Sequence, residues 1–66
     1  MKGTVIEVVK QDDGAFDLFS NLKLHHGQIQ ETYLQEWLCV RFGFCGEEYR
    51  SILKEVNLRG RWAITL

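Results

Sequence analysis

A chain of 66 residues has material for one core, because a domain this small buries only about 60% of the surface it exposes when unfolded. That excludes a second domain and leaves little room for a deep catalytic cleft. With 45% hydrophobic and 26% charged residues and a net charge of −1, the composition is that of a folded globular chain, without the charge excess of disorder or the strongly basic balance of a nucleic-acid binder.

The charge is unevenly spread. Residues 1 to 40 hold three lysines against six acidic residues, and residues 41 to 66 hold five Lys or Arg against three glutamates. Proline is absent and there are six glycines, which favours short, tight connections over linkers. The opening "MKGTVIEVVKQDD" breaks its apolar run at Glu7 and ends it at Lys10. That is neither a secretory h-region nor a membrane span, so a soluble, cytoplasmic protein with no membrane contact is expected. Two cysteines, Cys39 and Cys45, are fewer than the four or more of a disulfide framework, and reduced thiols are expected.

In chain order, "TVIEVVKQDDGAFDLF" has β-branched residues, then Asp13-Gly14, then an alternating run, which predicts a β-hairpin with a two-residue loop. That loop pairs Lys10 with Asp17, Val9 with Leu18 and Val8 with Phe19. It gathers Val5, Val9, Phe16, Leu18, Leu22 and Leu24 on a core face. Ile6, Val8 and Phe19 then lie on an open face with Lys10 and Asp17 at its rim. A three-residue loop would exchange the two faces.

From Ile29 to Phe42 the apolar residues recur at helical spacing, and Gly43 ends the run. A second helix starts near Cys45-Gly46, with Glu47 and Glu48 at its positive end and a stripe of Tyr49, Ile52, Leu53 and Val56. It stops at Asn57 or Gly60. The segment "RWAITL" then alternates strictly, with Trp62, Ile64 and Leu66 on one side. The expected fold class is α+β: a β-hairpin, two helices and a C-terminal strand, in the order ββααβ, with the helices on one face of a three-stranded sheet.

Over residues 38 to 56 the pattern is similar to a helix-turn-helix. Cys39 supplies the small residue, Gly43 the turn, and Leu38, Phe42, Phe44, Tyr49 and Ile52 the locking set. That resemblance implies a DNA-binding surface of Arg50, Ser51 and Lys54, with Arg41, Arg59 and Arg61 on the phosphate backbone. The net charge of −1 and the glutamates at the start of the second helix oppose it. The start "MKGTVIEVV" looks like the first strand of small OB-type barrels, which need five strands where this chain has room for about three.

His25-His26 with Cys39 and Cys45 are zinc-ligand types without zinc spacing, and a Cys-His nucleophile pair lacks an orienting group. Trp37 and Trp62 fall on apolar sides of their elements and are expected in the core. The function read from sequence is therefore a non-catalytic regulatory module. It would act by protein–protein contact or self-association through Ile6, Val8, Phe19, Lys10 and Asp17, with no metal, cofactor or small-molecule substrate inferred. The alternative is DNA binding through residues 34 to 56.

Overall fold

The computed structural model describes residues 3–66. Its elements are β1 (Val5–Lys10), β2 (Phe16–Ser20), β3 (Lys23–Ile29), α1 (Glu31–Glu36), α2 (Glu47–Arg59) and β4 (Arg61–Thr65), and a π-helical turn, Trp37–Arg41, continues α1. The strands form one antiparallel sheet in the order β3-β2-β1-β4. The fold is α+β as expected, but with four strands instead of three: β3 takes up Leu24, expected on the second hairpin strand, and Ile29, expected to open the first helix.

The hairpin forms where Asp13-Gly14 predicts it, but its loop is one residue longer. Gly14 donates its N–H to the Gln11 carbonyl (3.0 Å), Gln11 donates to Ala15 (2.8 Å), and Ala15 donates to the Asp13 carboxylate (3.0 Å), leaving Asp12, Asp13 and Gly14 as a three-residue loop. Gly14 sits at φ +90°, a left-handed conformation that costs any residue with a Cβ about 1–2 kcal/mol. The pairs are Val8 with Leu18, Val9 with Asp17 and Lys10 with Phe16. One residue of register turns β1 over, because successive side chains alternate between faces.

The consequence is a different core. Ile6, Val8, Phe16 and Leu18 are fully or almost fully buried, together with Ile29, Leu34, Leu38, Phe44, Tyr49, Ile52 and Val56. Leu22 and Leu24, expected inside, are 81% and 58% exposed. β3 follows a tight turn in which Asn21 and Leu22 both take positive φ, and it reaches β2 through register shifts between Phe16 and Leu18 and between Leu18 and Phe19.

The first helix is shorter than its apolar spacing suggests. Ile29 ends β3, α1 covers Glu31–Glu36, and the wider turn Trp37–Arg41 follows. Leu34 and Leu38 enter the core from this segment, and the chain then folds back so that Phe44 N–H meets the Leu38 carbonyl at 2.9 Å. That return brings the Cα atoms of Cys39 and Cys45 to 4.6 Å, and the two are joined by a disulfide where free thiols were expected. α2 buries Tyr49, Ile52 and Val56 and stops at Gly60, whose φ of +85° turns the chain into β4 while its N–H bonds Val56.

Candidate functional site

Both helices pack on the side of the sheet that carries Ile6, Val8, Phe16 and Leu18, so the other side has no cover among the described residues. The register fills that open side with Val5, Glu7 and Val9 from β1, Asp17 and Phe19 from β2, Leu24 from β3, and Arg61, Ala63 and Thr65 from β4. Phe19 lies directly beside Leu24 on one flank and Glu7 on the other. Glu7 is ion-paired with Arg61 across the face. Asp17 accepts from the Gln11 side-chain amide (2.7 Å) and from the backbone N–H of Gln28 (3.1 Å), which pins the start of the hairpin to the end of β3.

Of the five residues expected to form a protein contact, Phe19 and Asp17 are on this open face. Ile6 and Val8 are fully buried beneath the helices, a direct result of the longer loop. Lys10 is on the helix side too: its ammonium donates to the Asn57 side-chain oxygen (2.8 Å) and lies over the Phe16 ring, so it makes no pair with Asp17. Sequence reasoning missed Val5, Glu7, Val9, Leu24, Arg61 and Ala63 as members of the surface. The signal for most of them was the strand alternation, read from the other face.

A second surface lies at the edge of the sheet. Phe44, Ile52, Trp62 and Ile64 floor a groove of about 300 Å³ between α2 and β4, and Glu47 and Glu48 stand on its wall. The rings of Phe44 and Trp62 meet edge to face at 5.6 Å. Trp62 is half-buried here, and Trp37 is half-buried on the opposite flank against His26 (4.7 Å), His25 (5.5 Å) and the Arg41 guanidinium (4.7 Å).

The six residues of the DNA surface do not share a face. Arg50, Ser51 and Lys54 are exposed together on the outer side of α2, but Arg50 contacts Glu47 at 3.4 Å. Arg59 pairs with Glu55 at 3.0 Å, Arg41 is stacked on Trp37, and Arg61 projects from the far side of the sheet to Glu7. The helix-turn-helix locking set, Leu38, Phe42, Phe44, Tyr49 and Ile52, packs into the core that the helices share with the sheet.

His25 and His26 serve as ring partners of Trp37, and the cysteines are bonded to each other. Among the described residues no group of three or more His, Cys, Asp or Glu is placed to hold a metal ion. Burial, and then the negative charge of Glu31, push the Tyr49 phenol above the usual 10.0. Its hydroxyl donates to the Glu31 carbonyl at 3.4 Å. No helix among the described residues is long and apolar enough to cross a membrane. Set against protein-family models, curated proteins and solved structures, the chain matches none of them.

Proposed function

We propose that this domain is a non-catalytic, regulatory protein-binding module whose contact surface is the uncovered sheet face around Phe19, and that its first partner is a second copy of the chain. The observation that supports this is compositional. Of the nine side chains that the register puts on that face, Val5, Val9, Phe19, Leu24 and Ala63 are apolar, whereas the watered face of an antiparallel sheet is ordinarily polar. Two such faces packing at about 10 Å bury these positions against each other, as sheets do in a sandwich.

The test compares wild type with Phe19→Asp by sedimentation velocity over a range of concentrations. Wild type is expected to dimerise as concentration rises. The variant is expected to stay monomeric with an unchanged far-ultraviolet circular dichroism spectrum, since Phe19 lies outside the core. A variant that still dimerises, or a wild type that is monomeric throughout, overturns the proposal.

DNA binding is supported less well, because three of its five candidate cations already face a carboxylate and a fourth is stacked on Trp37. Titration of labelled duplex DNA is expected to show no affinity that falls with salt; a steep fall would establish phosphate contacts instead. A cytoplasmic location stays within the proposal, and there the Cys39–Cys45 bond meets a reducing pool.

A further inference from the structure

We infer that the free edge of β4 is a docking site for an extended, lysine- or arginine-bearing strand of a partner protein, which adds to the sheet as a fifth strand. Backbone geometry comes first. The Gly60 carbonyl accepts from Lys10 N–H at 2.9 Å, and Leu66 N–H donates to the Thr4 carbonyl at 2.7 Å. In an antiparallel ladder the bonding direction alternates residue by residue. Trp62 and Ile64 therefore also spend their amides and carbonyls on β1, and those of Arg61, Ala63 and Thr65 face outward. These three residues present a regular row of donors and acceptors, unbroken by a bulge or a proline.

Side chains then set the chemistry of the incoming strand. On the helix side of β4 the groove floored by Phe44, Ile52, Trp62 and Ile64 takes an apolar residue. Its wall carries Glu47 and Glu48 and no basic residue. Glu48 has no ion pair among the described residues, and Glu47 has one exposed contact with Arg50. A strand that alternates apolar and neutral positions and ends its helix-side row in lysine or arginine supplies the missing cation. A second copy of this chain does not. The helix-side residues of β4 itself are Trp62 and Ile64, so a copy paired strand to strand offers no cation from that row. Strand addition of this kind draws affinity from main-chain bonds and specificity from alternate side chains.

This surface is separate from the open face around Phe19, and the two fail independently. The probe is the seven-residue capped peptide Val-Ser-Val-Ser-Val-Ser-Lys, whose valines and lysine share one face, compared with the same peptide carrying glutamate in place of lysine. Binding is read by amide hydrogen exchange and chemical-shift changes in the full chain. The lysine peptide is expected to protect the amides of Arg61, Ala63 and Thr65, the glutamate peptide to protect none of them, and added salt to weaken the effect. Ala63→Pro removes an outward N–H at a position where an edge strand tolerates proline, and is expected to abolish binding. Glu48→Lys, an exposed change that leaves the core alone, is expected to weaken the lysine peptide roughly tenfold. Phe19→Asp is expected to leave peptide binding unchanged. Equal protection by both peptides, protection by neither, or unchanged binding by a folded Ala63→Pro or Glu48→Lys variant overturns the inference. So does finding the three amides already protected in a β4-paired dimer of the free protein.

Discussion

β3 and β4 are both edge strands, yet they are built differently. β3 reaches β2 through two register shifts, holds Gln28 at φ +56° and carries the irregular "LHHGQ" in its middle. β4 pairs with β1 over five consecutive residues without a shift and carries "RWAIT", with one charged side chain already engaged by Glu7. An irregular backbone spoils the row of donors and acceptors that another strand needs, and a regular one preserves it. Two edges of one sheet thus have opposite capacities, set by a few residues of backbone.

The edges are not isolated from each other, and the links between them are where the contrast can be broken. Leu18 is fully buried in β2, between β3 and β1, so both halves rest on it. Leu18→Ala is expected to cost about 2–5 kcal/mol. That is comparable to the whole stability of a chain this size, about 3–10 kcal/mol at usual values per residue. Urea denaturation should show both edges lost in one transition; a variant in which β4 stays paired while β3 is lost would show that the halves fold separately.

The cystine loop is the next link. Phe42 faces His25 of β3 at 6.5 Å between ring centres, and Phe44 faces Trp62 of β4 at 5.6 Å, with the Cys39–Cys45 bond closing the segment that holds both. Closing so short a loop restricts the unfolded chain by about 2 kcal/mol on the loop-entropy account. Cys39→Ser with Cys45→Ser is expected to lower stability by roughly that amount and to shift the indole signals of both Trp37 and Trp62. A change confined to one tryptophan would assign the loop to one edge alone.

A smaller effect is expected at the hairpin. Gly14→Ala forces a Cβ into a left-handed conformation and should cost about 1–2 kcal/mol, with no atom near enough to clash. Because the loop sets which face of β1 is buried, the informative readout is the exchange rate of the β1 amides. Protection that holds at Glu7 and Val9, whose N–H groups face β2, while overall stability falls means the three-residue loop keeps its register under strain.

Much of this architecture is legible in the sequence, and its losses have specific causes. The hairpin, the stripe Tyr49, Ile52, Leu53 and Val56, the stop at Gly60 and the alternation of "RWAITL" are local periodic signals, and each appears in the fold. β3 was illegible because His25-His26-Gly27 has no alternation, and its extended form comes from pairing with β2. The disulfide was illegible because the approach of its cysteines depends on a π-helical turn. The candidate surface turned on one residue of loop length. Phe19 and Asp17 kept their face because both belong to β2, while Ile6, Val8 and Lys10 changed sides with β1.

The last link is Tyr49, whose hydroxyl joins α2, beside β4, to the Glu31 carbonyl at the start of α1, two residues past β3. Burial first and the Glu31 charge second raise its pKa, so the folded chain holds the phenolic proton more tightly than the unfolded chain does. As pH rises through the unfolded value near 10.0, the unfolded state releases a proton that the folded state retains. Its contribution to stability is therefore present in full below that pH and is lost as pH climbs through the higher folded pKa. Tyr49→Phe deletes the hydrogen bond, about 1 kcal/mol at neutral pH, and deletes the alkaline loss with it. The urea midpoints of wild type and variant should accordingly converge as the solution is made alkaline. Parallel curves through that range would mean the phenol is as free to ionise in the fold as outside it, and that the two halves are tied by apolar packing alone.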